Sequence, residues 1–486
     1  MNFIEDVLES FPASKPALVT VAPDTGRRVW HFGELIARSA GLSGAFAARG
    51  VKRGDVVMTL VGSRIEWVLA MLACWRMGAI AMPCNTQLRR HDLEMRIAAA
   101  GPALCVGEDE PLGELPGGVP YLTIEDVATV MDEERPQEPP AEVADLDPDD
   151  GALVIFTSGT TGEPRGALHA QRYLSGQRTQ AVHWFGAQEG ELAWCTAATG
   201  WSKSSRNSFV APWLTGAAAL VHDGRFDPVE RLELIERERV NVLCQAPTEY
   251  RMIAKRAGVR PLSSIRRMVS AGEALNPEII DEFRGRAGLE ICDGYGQTET
   301  GALTGVQPGD EVKPGSMGRA LPGIELRIAD GELQLRATSC PTFFAGYLDS
   351  DRGPELIDGV WWPTGDYVRE DEDGTLWFEG RGDDIIVSAG YRIGPYEVES
   401  ALVSHPSVAE AAAVPAPDPE RGSVVRAIVV LRQGDPSPGL AEKLQDHVKR
   451  ITAPYKYPRI VEFADELPKT ASGKIKRAEL RRDGTT

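Results

Sequence analysis

Between Phe32 and Gly107 the chain alternates two apolar rhythms. Leu35-Ile-Ala-Arg-Ser-Ala-Gly-Leu42 repeats its apolar positions at helical spacing, whereas Val56-Val-Met-Thr-Leu-Val61 is a short run of the kind a buried strand carries. That alternation predicts βαβ units and a largely parallel sheet. It resumes further along, where Val240–Gln245, Ile265–Ser270 and Leu289–Cys292 read as strands with helices between them. The stretch Met131–Asp150 is rich in Pro, Glu and Asp and has no apolar period, so it reads as a surface connection. After Lys313 the style changes. Gly315–Phe378 holds short strands separated by Asp330-Gly331, Asp358-Gly359 and Asp373-Gly374, which predicts an antiparallel or barrel-like subdomain. A charged, glycine-containing step at Arg381-Gly-Asp-Asp384 precedes a fresh apolar run, Ile385–Val387, and marks a boundary. Beyond it the chain predicts a helix near Pro395–Ser404 and a strand at Val424–Leu431. The expected fold is α/β: a large N-terminal domain of βα-layered sheets over 1–381, with a barrel-like subdomain at 315–378, then a small mobile α+β domain over 382–486.

Length and charge narrow the picture. A chain of 486 residues exceeds what one hydrophobic core organises, so two or three packed units are expected. A net charge of −19 argues against general nucleic-acid binding. Seven cysteines without a Cys-x-x-Cys pair, and seven dispersed histidines, predict a reducing compartment and no zinc site. The N-terminus, Met1-Asn-Phe-Ile-Glu-Asp6, has acidic residues where a signal or transit peptide carries basic ones. The longest uncharged apolar stretch, Asn207–Val221, contains Pro212 and is too short to span a bilayer. A cytoplasmic protein without stable membrane insertion is expected.

Five polar clusters carry candidate chemistry. Thr157-Ser-Gly-Thr-Thr-Gly-Glu-Pro-Arg-Gly166 follows the apolar run Ala152–Phe156. Its glycines let successive N–H groups converge on one anion, Ser158, Thr160 and Thr161 add hydroxyls, and Arg165 adds a counter-charge, so it reads as a phosphate-holding loop. It lacks the Walker A order. A flexible Gly/Ser linker is the alternative, weakened by the strand before it and the Pro-Arg-Gly after it. In Asp293-Gly-Tyr-Gly-Gln-Thr-Glu-Thr300, Tyr295 offers a ring on which a purine stacks, Thr298 a hydroxyl, and Glu299 a hard oxygen ligand for magnesium. The alternative is an ordinary strand-to-helix turn. Trp361-Trp-Pro-Thr-Gly-Asp366 places a carboxylate suited to two ribose hydroxyls, or is simply a turn. Arg381 and Asp383 pair opposite charges at the suspected junction. Lys474, on the glycine-bearing loop Pro468-Lys-Thr-Ala-Ser-Gly-Lys474, is either solvated surface charge or a mobile cation. The last 46 residues hold eleven Lys/Arg against seven Asp/Glu, so this end suits something anionic.

With these clusters in this order, and with Gly200-Trp-Ser-Lys-Ser204, Lys313-Pro-Gly-Ser-Met-Gly318, Ser388-Ala-Gly-Tyr-Arg-Ile-Gly-Pro395 and Ala453-Pro-Tyr-Lys-Tyr-Pro-Arg459, nearly the whole chain resembles the adenylate-forming superfamily. Within it the sequence is most similar to medium-chain acyl-CoA synthetases. The resemblance implies two half-reactions: ATP activates a carboxylic acid to an acyl-adenylate with release of pyrophosphate, and coenzyme A then takes the acyl group. It assigns the nucleotide to Thr157, Ser158, Gly159, Thr160, Thr161, Gly162 and Arg165, where lysine is common, and to Asp293, Gly294, Tyr295, Gly296, Gln297, Thr298, Asp366 and Arg381. It gives catalytic roles to Lys474, Thr298 and Glu299, with Glu299 also the magnesium ligand. Asp383 matches the family hinge. Ala389, Gly390, Tyr391 and Arg392 match coenzyme A contacts, with Arg421, Lys449 and Tyr457 as further ones.

Gly296 stands where acetate-using relatives carry a tryptophan that floors the acyl pocket. The resemblance therefore implies an acid longer or broader than acetate, its tail near Trp201 and Gly296; plain core packing is the alternative for Trp201. Pro468-x-x-x-x-Gly-Lys474 is similar to the pattern that protein acetyltransferases recognise in this family, which implies regulation through loss of the Lys474 charge. The N-terminal extension and mitochondrial presequence of the animal members are missing, as expected of a bacterial cytoplasmic enzyme. Rival readings are an aryl-acid (benzoate-type) CoA ligase, an adenylation enzyme loading a carrier protein, and a nucleotide sensor. The 388–395 cluster favours free coenzyme A, and Lys474, Glu299 and Asp366 together argue against the sensor.

Overall fold

The apolar runs assemble into two large mixed sheets. The computed structural model describes residues 1–23, 26–132, 138–157, 164–273, 275–350, 353–388, 391–418, 421–432, 435–469 and 475–482. A seven-stranded sheet runs in the order Gly346–Tyr347, Gly166–Ala170, Gly151–Phe156, Ile80–Pro83, Val56–Leu60, Leu104–Gly107, Tyr121–Thr123. Its middle strands are parallel, with Val57 opposite both Ala81 and Leu104, as the βαβ rhythm predicts. The helix Ile65–Met77 is apolar on nearly every face and buried along almost its whole length. The segment 138–150 forms no helix or strand; Ala144 N donates to Arg76 O and Asn2 Nδ2 to Ala144 O, so the connection crosses the end of that helix.

A nine-stranded sheet follows the order Arg319–Ala320, Gly301–Gly305, Ile291–Gln297, Arg267–Ala271, Val242–Gln245, Leu192–Cys195, Ala218–His222, Pro16–Ala22, Gly26–His31. Parallel pairing from Ala218–His222 to Ile291–Gln297 gives way to antiparallel pairing with Gly301–Gly305. Polar residues at the carboxyl end of the strand Ile291–Gln297 therefore lie at the reversal of the sheet, where α/β folds open a crevice for ligands.

The expected barrel-like stretch takes the form of a four-stranded antiparallel sheet, Leu326–Ala329, Glu332–Arg336, Trp361–Glu370 and Leu376–Arg381. Its flanking two-residue strands, Arg319–Ala320 and Gly346–Tyr347, join the two large sheets instead. Asp330 and Gly331 both adopt positive φ, 51° and 86°, as do Asp358 and Gly359, 52° and 68°. At Asp330-Gly331, between the paired Ala329 and Glu332, these angles match the twist of a two-residue hairpin, whereas the bridge Ile357–Trp361 encloses three residues. After Asp384 come a small hairpin, Ile386–Ser388 with Tyr391–Ile393, and a three-stranded sheet, Val408–Asp418, Gly422–Leu431 and Ile460–Phe463. Helices Pro395–Val403 and Pro438–Ile451 close a core of their own around Ile393, Val398, Leu402, Val425 and Val448. All seven cysteines are buried and unpaired. Among the described residues no helix is long and apolar enough to cross a membrane.

Candidate active site

The turn Gln297–Thr300 is the hub of the site. It joins two antiparallel strands, not a strand to a helix, and Thr300 Oγ1 closes it by accepting from Gln297 N at 3.0 Å. Gly294, upstream in the strand, leaves room for the Trp184 indole, whose Nε1 would lie 2.5 Å from a Cβ at that position.

Asp366 reaches this hub from the strand Trp361–Glu370. Its carboxylate is only 3% exposed. Oδ2 accepts from Tyr295 Oη at 2.5 Å and from Gln297 Nε2 at 2.7 Å, while Oδ1 faces Arg381 Nη1 at 3.3 Å. Burial, reinforced by the Asp366 charge, pushes the Tyr295 phenol well above its ordinary pKa, so it stays a donor. Burial opposes the charge on Arg381, yet Asp366, Tyr295 and Asp383 hold its pKa above the usual value. Oδ2 thus already accepts two protein donors, while Oδ1 lies against Arg381.

On the other side of the hub, Thr157 N donates to Arg165 O at 2.9 Å and closes the base of the expected phosphate loop between two antiparallel strands. Ser158, Gly159, Thr160, Thr161 and Gly162 lie outside the described residues. Arg165 holds Asp349 in a bidentate pair, 2.9 and 2.8 Å, and its guanidinium stacks 3.7 Å from the Tyr347 ring centre. The two bonds to Asp349 raise the Arg165 pKa and lower that of the carboxylate. Arg165 is thus a counter-charge already engaged, but both side chains are about half exposed, 45% and 53%. Such a pair contributes about 0.2–1 kcal/mol. The pair therefore costs little to break. Tyr347 Oη donates to Glu299 Oε1 at 2.6 Å, which ties the loop base to the hub. Thr298 sits half-buried between Gln297 and Glu299.

Three residues of the site escaped the sequence reading. Tyr347 and Asp349 lie 48 and 184 positions from their partners Glu299 and Arg165, beyond any local pattern. Lys203, inside the Gly200–Ser204 motif, donates to Ala271 O at 3.0 Å. It faces buried Asp293, whose carboxyl is pushed well above the carboxylate range by burial despite the Lys203 charge.

Gly296 sits against the neighbouring strand. A Cβ there would lie 1.9 Å from Gly301 O and 2.9 Å from Ala302 Cα, inside the backbone of the neighbouring strand. The glycine answers a close backbone approach at the irregular pairing between Tyr295 and Gly296. Trp201, half-buried, precedes the helix Ser202–Asn207 with extended backbone, φ −100° and ψ 143°.

Toward the C-terminal unit, Asp383 lies 4.0 Å from Arg381 Nε and is 37% exposed, in a turn where Asp384 N and Ile385 N both donate to Arg381 O. Tyr396 Oη donates to Leu275 O at 2.8 Å across the junction. Tyr391 is 53% exposed and stacks on Tyr455 at 4.4 Å. Ser423 Oγ bonds Val387 O, so Arg421 lies by the same hairpin, and Lys449 sits 4.4 Å over the half-buried Tyr457 ring. Tyr391, Arg421, Lys449 and Tyr457 belong to one unit, and among the described residues the one direct contact between any two of them is that of Lys449 with Tyr457. Ala389, Gly390 and Lys474 lie outside the described residues, as does the side chain of Arg392. The base of the Lys474 loop is described: Lys469 and Ile475 form a bridge, and Lys476 N donates to Pro468 O at 2.9 Å.

The profile of the family described as AMP-binding enzyme matches residues 4–342, and that of the AMP-binding enzyme C-terminal domain matches 397–474. The chain belongs to the AMP-binding enzyme family. An uncharacterized acyl–CoA ligase of Bacillus subtilis, YtcI, is 40% identical across 98% of this chain and 94% of the relative. The mouse mitochondrial acyl-coenzyme A synthetase ACSM3 is 36% identical across 99% and 90%. Among solved structures, the anthranilate CoA ligase AuaEII in complex with anthranoyl-AMP superposes with a TM-score of 0.88 at 30% identity, over 100% of this chain and 97% of that one. This AMP-binding enzyme is accordingly an acid–thiol ligase of the AMP-forming kind, which uses ATP and coenzyme A.

Proposed function

We propose that the ligase activates a medium-chain or similarly sized carboxylic acid as its adenylate and passes the acyl group to coenzyme A, with the residues around the Gln297–Thr300 turn holding the nucleotide. One observation carries the reading. A chain of side-chain contacts runs from Arg165 through Tyr347 to Glu299, and from Gln297 through Asp366 to Arg381, linking the phosphate-loop base to the 381–385 turn. The loop 157–165 binds the β- and γ-phosphates, and Asp366 with Arg381 holds the ribose. The carboxylate oxygen of the acid attacks the α-phosphate and pyrophosphate leaves. Two anions meet in that step, and Lys474 supplies the neutralising cation, a contribution of about 3 kcal/mol to the barrier. The small unit then turns about Asp383, and the coenzyme A thiol attacks the acyl carbon with AMP as leaving group. Ala389, Gly390, Tyr391 and Arg392 line its approach, with Arg421, Lys449 and Tyr457 nearer its phosphates.

Glu299 fits a magnesium ion carried by the nucleotide. Its Oε2 has no protein partner among the described residues, and no cluster of three metal-ligating side chains stands there, so most ligands would come from phosphate and water. The ion would offset phosphate charge. A cytoplasmic location, and acetylation of Lys474 by a protein acetyltransferase as an off-switch for adenylation, belong to the same reading. An aryl acid is the second reading, favoured by the likeness to the anthranilate ligase. The test supplies the full chain with ATP, magnesium, coenzyme A and straight-chain or aromatic acids, and quantifies AMP and acyl-CoA. Equimolar AMP and thioester are expected, greatest for straight chains longer than acetate; consumption of ATP to ADP, or no AMP with any acid, overturns the proposal.

A further inference from the structure

Behind the Gln297–Thr300 turn lies a buried polar patch that the nucleotide and thiol sites do not use. The helical run 172–185 sets Tyr173, Gln177 and Gln180 at i, i+4 and i+7, on one face. The helix Ser202–Asn207 brings Arg206 and Asn207 against that face, and His169 enters from the strand Gly166–Ala170. All six are at most 5% exposed. The patch is contiguous: Gln180 Nε2 donates to Asn207 Oδ1 at 2.9 Å, the His169 and Tyr173 rings are 4.2 Å apart, and Tyr173 lies beside Arg206 and Ser202.

Its hydrogen bonding is incomplete. Among the described residues, both ring nitrogens of His169, both amide atoms of Gln177, Gln180 Oε1, Arg206 Nε and Asn207 Nδ2 have no protein partner. Arg206 Nη1 reaches Ser202 Oγ at 3.3 Å and the guanidinium lies against Tyr173, and among the described residues no Asp or Glu pairs with it. Native interiors satisfy nearly all buried polar groups, and a buried guanidinium without a counter-ion is costlier still. His169 adds no second charge, because burial and the nearby Arg206 and Arg172 cations pull its pKa down to about 3. The patch thus presents one cation among unpartnered N–H donors, with two amide oxygens beside them.

It also adjoins the reacting centre. Ser202 follows Trp201 directly. Gly176 in the helical run abuts Pro341 and Thr342, where an added Cβ would meet side-chain atoms at 3.1 and 3.2 Å, and Thr342 Oγ1 donates to Thr300 O at 2.6 Å, next to Glu299. We propose that this patch receives the far end of the acyl substrate, and that the preferred acid carries a second carboxylate there, paired with Arg206 as the specificity-determining residue. The proposal rests on the synthetase reading above and deepens it. A substrate carboxylate would supply the missing counter-ion and accept from Gln177 and Asn207.

The test compares acids matched in length, hexanoate with adipate and octanoate with suberate, by AMP formation with the full chain, ATP, magnesium and coenzyme A. One diacid is expected to exceed its monoacid in kcat/KM by at least about tenfold, mostly through KM, because a site built around buried polar groups rejects the analogue that leaves them unpaired. Arg206→Met should collapse the diacid-to-monoacid ratio and Arg206→Lys restore part of it. If the variants do not fold, the ratio in the unaltered protein decides. Turnover of hexanoate and octanoate at least as efficient as that of both diacids overturns the pairing with Arg206 and leaves the synthetase reading standing. No AMP from any acid overturns both.

Discussion

Asp366 is the most heavily constrained side chain of the site, with Tyr295, Gln297 and Arg381 all directed at it. Asp366→Ala removes the shared acceptor of three half-buried donors, Tyr295, Gln297 and the 35% exposed Arg381. The expected outcome is a lower thermal midpoint and an ATP KM raised at least about tenfold, read by calorimetry and an ATP titration. Gly296→Ala behaves differently. Its Cβ would strike the Gly301 backbone, so we expect a loss of about 2 kcal/mol or more in urea unfolding. The length of acid preferred stays the same; a shortened preference would place Gly296 in the acyl pocket. His169 gives a pH signature. Its folded pKa, about 3, lies below the ordinary 6.5, so the unfolded chain binds the proton more readily. Its contribution to stability is complete above pH 6.5 and is lost as pH falls toward 3, at up to about 1.4 kcal/mol per pH unit. His169→Gln should flatten that slope in urea midpoints taken between pH 7 and 5.

At the scale of elements, local signals were the readable ones. Asp330-Gly331 and Asp358-Gly359 announce their turns because the left-handed backbone they adopt disfavours most other residues. Val56–Leu60 is a strand because a short, wholly buried run fits a parallel sheet. The partnerships across elements were not readable. Tyr295 meets Asp366 across 71 positions, and Tyr347 meets Glu299 across 48, through strand pairings that no spacing encodes. The polar face of the run 172–185 was also missed, since periodicity was followed through apolar positions while Tyr173, Gln177 and Gln180 repeat with the same helical period. Gly296 is ambiguous in sequence because an absent side chain can mean open space or a backbone in contact, and the neighbouring strand supplies the contact. The Arg165–Asp349 pair yields a prediction at this scale. Asp349→Asn frees the guanidinium for phosphate, so the ATP KM should fall, and by a larger factor at low salt; an unchanged or higher KM would make Asp349 a support for Arg165 and not its competitor.

Across the whole molecule, the tail and the proposed hinge are mechanically joined. Asp384, beside Asp383, pairs with Arg477 and Arg481 of the terminal helix, and Arg477 also holds Glu399 at 2.7 Å. The base of the Lys474 loop therefore travels with the 381–385 turn. Lys474→Ala should reduce adenylation about 100-fold or more while leaving thioester formation from a supplied acyl-adenylate nearly intact, as followed by pyrophosphate exchange and acyl-CoA release. Asp383→Pro stiffens the turn and should reverse that pattern, slowing thioester formation more than exchange.

The burial of all seven thiols has a practical reach beyond packing. Maleimide dyes should find nothing to label in the native protein, so a single cysteine introduced at exposed Lys443, on the helix Pro438–Ile451, would be the one fast-reacting handle. A fluorophore fixed there could report the swing of the small unit in real time, with no native cysteine first having to be removed.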